Sequence, residues 1–157
     1  MNATRPNFRR TDAPQLLQET LKHLNDAREF YLQASRSVVD REIRDAFAFS
    51  SEAHAALLQS LYTAAPAAQQ SQAVDALSSQ PSRAVSEFAE VAGMFDGSRP
   101  QASASELHAL DATLLQRVEA LFAIYPDMRV RAALKQHVLS IQRAGDATRR
   151  LALRDVA

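Results

Sequence analysis

Apolar residues recur at alternating spacings of three and four through four long segments of this 157-residue chain. Side chains at these spacings share one face of an α-helix, so the pattern predicts four amphipathic helices. We predict these helices over residues 13–38, 41–63, 104–125 and 128–153. Glycine, which weakens helices, occurs only three times in the chain. The predicted fold class is therefore all-α.

The connections between the helices predict their arrangement. Only a few residues separate helix one from helix two and helix three from helix four, which makes each pair an antiparallel hairpin. The middle connection, residues 64–104, is long and contains Pro66 and Pro100 as helix breakers. This pattern predicts an antiparallel four-helix bundle with one long crossover, the connectivity of ferritin-like proteins. The length fits one domain, predicted over residues 12–157 after a flexible N-terminal arm at 1–11.

The crossover contains one short amphipathic segment, "PSRAVSEFAEVAGMF". Its apolar stripe consists of Val85, Phe88, Ala92 and Phe95 at helical spacing. If this stripe were exposed, its two phenylalanines would form an unusually apolar surface patch. We therefore predict a short crossover helix that packs this interaction stripe on the bundle or on a second copy of the chain.

Composition excludes several function classes. The 18 basic and 18 acidic residues cancel, so no overall field attracts nucleic acid or an anionic membrane. The chain has no cysteine, which excludes disulfides, thiolate metal sites and cysteine nucleophiles. No apolar run approaches the roughly 18 residues of a spanning helix, and the first residues lack the apolar core of a signal peptide. We expect a cytoplasmic protein without a membrane or nucleic-acid partner.

The segment "SEAHAALLQSL", residues 51–61, combines a carboxylate and a histidine in a helix. A ferritin-like di-iron site needs Glu-x-x-His, because only residues three or four apart share a helix face. Glu52 and His54 are two apart, so we predict that Glu52 faces solvent and His54 faces the core. No glutamate stands three residues before His137. We predict no di-iron centre, no other metal site and no cofactor.

Sequence motifs for catalysis are also absent. The chain has no glycine-rich phosphate loop, no H-E-x-x-H and no G-x-S-x-G. Serine, histidine and aspartate all occur, but their spacing does not arrange them as a triad. We therefore predict no catalytic residue and favour a protein without enzymatic activity.

Five polar residues lie on the predicted core-facing seams: Arg28, Ser50, His54, Asp111 and His137. Counting residues from the two hairpin turns places both histidines and their neighbours near the middle of the bundle. They either form one polar cluster that fixes helix register, or each histidine separately bonds a backbone carbonyl or water. In a cluster, burial and the arginine charge would lower the pKa of His54. Folding would then weaken as pH falls below about 6.5.

Three segments resemble a family of uncharacterised bacterial ferritin-like four-helix-bundle proteins, a domain of unknown function. These segments are "VVDREIRDAF", "DMRVRAALKQH" and "GDATRRLALRD". The resemblance implies the same bundle fold. It aligns the inward glutamates and the final histidine of the family with a set of positions in this chain: Ala27 or Arg28, Ala53, Asp111 with Leu114, and Gly145. Only Asp111 and Asp146 keep an acid, so the resemblance implies a ferritin-like protein that lacks the di-iron ligands.

These observations favour a non-enzymatic helical bundle that acts through self-association, as a homodimer, or through another protein interaction. Two alternatives remain open. One is an iron-binding ferritin-like protein or oxidase. The other is a carrier of a small apolar ligand held between helices, with the crossover helix as its lid.

Overall fold

All regular secondary structure in the described part of the chain is helical, which confirms the predicted fold class. The computed structural model describes residues 12–67, 70 and 86–154. The N-terminal arm predicted at 1–11 lies outside these residues. No helix in the described ranges is long and apolar enough to cross a membrane.

Four long helices and one short helix make up the described structure. They are α1 (Ala13–Ser37), α2 (Arg41–Ala64), α3 (Ser86–Met94), α4 (Ala104–Ile124) and α5 (Met128–Arg154). A short 3-10 helix at Pro100–Ser103 leads directly into α4. The bounds predicted for the long helices agree with these to within one residue at each end, because the apolar periodicity and the turn residues are both local signals.

Each long helix packs against two of the others. Helix α1 contacts α2 and α4, and α5 contacts the same two helices. The turn between α1 and α2 ends at Asp40, whose side chain accepts a hydrogen bond from the Ile43 backbone N–H at 3.1 Å. Such an N-cap satisfies a free donor of the first helical turn and fixes where the helix begins.

Two apolar clusters form the core, and each long helix contributes residues to both. The first cluster ends at Leu24 on α1, and the second begins at Ala27 on the same helix. On α4 the second cluster includes Leu110 and the first includes Leu114. Buried Asp111 therefore lies at the junction of the two clusters.

Helix α3 packs on α1 and α4 through Phe88 and Val91, which are both buried. The Phe88 ring centroid lies 6.0 Å from that of Phe30 on α1. Phe95 is half-buried, with its centroid 5.6 Å from the same ring.

The predicted interaction stripe needs one correction, because Ala92 is exposed and Val91 takes its buried place. Positions 91 and 92 both lie within one turn of Phe88 and Phe95. Helical spacing alone therefore does not show which of the two positions is buried. The packing of α3 on α1 and α4 buries Val91. Val85 lies outside the described residues.

The loop after α3 lies against the end of α1 at Gly97. A Cβ atom at this position would come within 2.6 Å of the Ser37 carbonyl oxygen. Glycine is therefore required here by the close approach of two backbones. This contact holds the crossover against the end of α1 at which α2 follows.

Candidate functional site

The buried polar residues at the junction of the two apolar clusters come from all four long helices. We call this set the polar layer: Tyr31 from α1, His54 from α2, Asp111 from α4 and Thr148 from α5. Their exposed fractions are 0%, 1%, 4% and 1%. Burying polar groups this completely is costly unless they bind one another, the backbone or water.

Tyr31 and Asp111 form the shortest link across the layer. The Tyr31 hydroxyl donates to Asp111 Oδ2 at 2.7 Å. Thr148 Oγ1 lies 3.4 Å from the same hydroxyl oxygen and donates to the Ala144 carbonyl at 3.2 Å. Burial, with the Asp111 carboxyl beside it, raises the pKa of Tyr31 well above its usual value. Tyr31 is therefore a neutral hydrogen-bond donor that joins α1 to α4.

His54 is oriented by its own helix. Its Nδ1–H donates to the Ser50 carbonyl one turn earlier. Because a carbonyl only accepts, the ring proton is on Nδ1 and the Nε2 lone pair is free when the ring is neutral. Nε2 lies 3.9 Å from Asp111 Oδ1, and neither atom has a hydrogen-bond partner in the described residues.

Burial controls the ionisation of this pair. It lowers the pKa of His54, against the opposing attraction of Asp111. It raises the pKa of Asp111, against the opposing attraction of His54. Removal of a charge from water outweighs the attraction between the two groups, so both favour their neutral forms. Both residues are uncharged when the Asp111 carboxyl is protonated and the His54 ring keeps a single proton on Nδ1.

His23 on α1 extends the layer toward α3. Its Nδ1 accepts a hydrogen bond from the Arg117 guanidinium, so the neutral ring carries its proton on Nε2. The ring lies edge-on to Phe88, with centroids 5.2 Å apart. Burial first, then the charge of Arg117 and then His54, lower the pKa of His23 to about 3.

The structure brings together three of the five residues predicted for the polar cluster. His54 and Asp111 face each other, and the Ser50 backbone binds His54. The Arg28 side chain is 39% exposed and bonds Asn25 Oδ1 at 2.8 Å instead.

His137 also lies outside the layer, with its Nε2 2.8 Å from Ser60 Oγ. We predicted that His137 lies level with Ser50. Ser50 precedes Ser60 on α2 by ten residues, or about 15 Å at the helical rise. The predicted level depended on the register between the two hairpins. Hairpin turn positions do not determine that register. His137 thus binds separately from the layer, but to a side-chain hydroxyl and not to the backbone carbonyl or water of the second interpretation above.

Sequence reasoning missed three residues of this site: Tyr31, Thr148 and His23. The first two lie on predicted core-facing seams, where their apolar atoms made them look like ordinary core residues. A search for every hydroxyl and ring nitrogen on the seams would have found both. His23 lies at helical spacing from Thr20 and Ala27, which are also buried, so a search across the whole width of the buried face of α1 would have found it.

Most of the positions that the resemblance aligns with family ligands are buried. Ala27, Ala53 and Leu114 are buried. A Cβ atom on Gly145 would lie 3.7 Å from the Asp111 Cβ. In the described residues, no group of three or more His, Cys, Asp or Glu side chains could hold a metal ion. The layer links α1 to α4 through the Tyr31–Asp111 hydrogen bond, with Thr148 of α5 and His54 of α2 beside it.

A second feature lies on the surface between α4 and α5, and we call it the α4–α5 groove. Its volume is about 230 Å³ and its wall is almost entirely apolar. The lining residues are Val118, Glu119, Phe122, Leu134, Lys135 and Val138.

Replacing Tyr31 with phenylalanine is expected to lower the free energy of unfolding by about 1–3 kcal/mol, because Asp111 Oδ2 loses its donor while still buried. Urea denaturation followed by circular dichroism measures this change. In an Asp111→Ala background the cost of the same substitution should shrink, since the carboxyl that accepts the 2.7 Å bond is absent. Tyr62→Phe, at a half-buried position outside the layer, is the control. An equal cost in both backgrounds contradicts the assigned hydrogen bond.

Comparisons with known protein families, with curated proteins and with solved structures find no match to this chain.

Proposed function

We propose that this protein is a non-enzymatic, cytoplasmic helical scaffold that acts through self-association as a homodimer. In this proposal its four long helices form an antiparallel bundle with a ferritin-like crossover. The short connections at 38–40 and 125–127 support the two hairpins, and the packing of each long helix against two others supports the bundle. Kinship with the bacterial ferritin-like family belongs to the same proposal.

The observation that carries the proposal is the burial of the side chains that could take part in acid–base chemistry. Tyr31, His54 and Asp111 are buried from solvent, and their bonds join different helices or turns of the core. A substrate would have to open the bundle to reach them. Buried polar groups used in this way fix the register of packed helices. The α4–α5 groove, in contrast, places apolar area at the surface, where another molecule can cover it.

One specific observation favours a second candidate function. The α4–α5 groove is apolar, which is also the property of a site for a small apolar ligand. Solvent extraction of the purified protein followed by mass spectrometry distinguishes this carrier function, because a carrier retains a stoichiometric ligand. Anaerobic Fe(II) loading with metal analysis tests the iron-binding alternative in the same preparation.

The full chain is expected to sediment at twice its monomer mass of 17.3 kDa at micromolar concentration. Burial of exposed apolar surface drives such association. Sedimentation equilibrium over a range of concentrations measures both the mass and the dissociation constant. A mass of one chain at every concentration contradicts self-association.

A further inference from the structure

We infer that the α4–α5 groove is the contact surface between two copies of this chain, with Glu119 of each copy paired to Lys135 of the other. This inference rests on the proposed self-association and names the surface that performs it. Neither residue has an ion-pair partner in the part of the chain that the structure describes.

The shape of the groove suits a flat helical partner. Val118 and Leu134 form its floor and are buried, whereas Phe122 and Val138 are half-buried. Leu139 lies one turn after Lys135 on α5 and is 48% exposed, so the apolar surface extends beyond the groove itself. Contiguous exposed apolar area rimmed by polar residues is typical of protein interfaces.

The charges of the groove are self-complementary. Glu119 is on α4 and Lys135 is on α5, and both are exposed where they line the same groove. A two-fold axis in the plane of the groove and parallel to the helices places α4 of one copy over α5 of the other. Each glutamate then faces a lysine, and the symmetry makes this contact twice.

The same charges disfavour the other two-fold arrangement. An axis perpendicular to the helices places α4 on α4 and α5 on α5. At the level of the groove, Glu119 would then face Glu119 and Lys135 would face Lys135, and like charges across an interface are costly. The charge pattern therefore selects one orientation of a second copy.

A second copy also fits the groove better than a small ligand does. The volume of about 230 Å³ is below the roughly 300–1,000 Å³ of typical ligand pockets. Opposite charges on opposite rims add nothing to the binding of an apolar ligand. They are, however, the arrangement that a two-fold partner can neutralise.

Charge reversal tests the pairing directly. Glu119→Lys places lysine against lysine at both contacts, and Lys135→Glu places glutamate against glutamate. Each single variant is expected to raise the dimer dissociation constant about tenfold or more. The double variant, Glu119→Lys with Lys135→Glu, restores both opposite-charge pairs and should return the constant to near the wild-type value.

Mixing the two single variants provides a second readout. In a heterodimer of Glu119→Lys with Lys135→Glu, every contact again joins opposite charges. We therefore expect the mixture to form heterodimers that are more stable than the homodimer of either single variant. Sedimentation with one chain fluorescently labelled measures this difference. Glu52→Lys, an exposed position on α2, is the control for the change in net charge. Circular dichroism verifies that each variant is folded.

The outcomes separate this inference from the function it rests on. A monomeric wild type overturns both. A dimeric wild type whose dissociation constant is unchanged in the single variants overturns only the assignment of the groove. Weakened single variants that the double variant and the mixture fail to rescue overturn the pairing of Glu119 with Lys135.

Discussion

Replacing Phe88 with alanine is expected to lower the free energy of unfolding by about 3–5 kcal/mol, the usual cost of removing a buried phenylalanine. The Phe88 side chain is 4% exposed and touches residues of both the polar layer and the second apolar cluster. Its ring centroid lies 6.3 Å from that of Tyr31 and 5.2 Å from that of His23. Removing the ring opens a cavity and uncovers the edge of the layer.

Urea denaturation of the Phe88→Ala variant measures this loss as a shift of the midpoint. Ala92→Ser, on the exposed face of the same helix, is the matched control and should change stability by less than about 0.5 kcal/mol. A helix as short as α3 has little stability of its own, so its position depends on this packing. Equal midpoints for wild type and Phe88→Ala would mean that α3 is merely a linker.

Acidification from pH 7.5 to pH 5 is expected to reduce stability by about 2 kcal/mol through His23 alone. Its folded pKa of about 3 is below the ordinary value of 6.5, because burial and then Arg117 disfavour the charged ring. Below pH 6.5 the unfolded chain therefore binds a proton that the folded chain does not. The contribution of His23 is present above pH 6.5 and is lost progressively as pH falls toward 3.

Other titrating groups change the pH dependence of the free energy of unfolding in both directions. The lowered pKa of His54 acts in the same sense as that of His23. The raised pKa of Asp111 acts in the opposite sense, because a buried carboxyl is more stable protonated. Burial, followed by Glu29, raises the pKa of Asp26 to about 6, so protonation there also stabilises the folded state on acidification. Because Asp26 is half-exposed, solvent screening limits its effect.

Comparison of variants isolates each histidine from these opposing groups. His23→Leu should reduce the loss of stability between pH 7.5 and pH 5 by about 2 kcal/mol, and His54→Leu should remove a further part of it. Ala92→Ser, at an exposed position on α3 without a titrating side chain, is the control. Guanidinium denaturation at both pH values supplies the measurement. The same pH dependence in His23→Leu and wild type contradicts the assigned role.

Much of the site was predictable wherever one helix carries the information. Glu52 is exposed and His54 is buried, as their two-residue spacing predicts. Asp111 faces the core from the predicted seam of α4. The contact of His54 with the Ser50 carbonyl also stays within one helix. Each of these follows from 3.6 residues per turn and needs no knowledge of the neighbouring helices.

The partners across helices could not be predicted in this way. His137 binds Ser60, Tyr31 binds Asp111, and His23 binds Arg117, because these pairs depend on how far each helix slides past its neighbours. A slide of one turn, about 5.4 Å, keeps every apolar seam buried but changes every polar partner.

Local signals in the sequence predict the long helices, their ends and which face of each is buried, because periodicity, turn residues and the Asp40 cap act over a few residues. The packing of the helices sets the register between them, the burial of Val91 instead of Ala92 on α3, and the meeting of four helices at one layer: Tyr31, His54, Asp111 and Thr148. The reason is that apolar burial is nearly indifferent to small slides between helices, whereas a hydrogen bond is lost within about 1 Å.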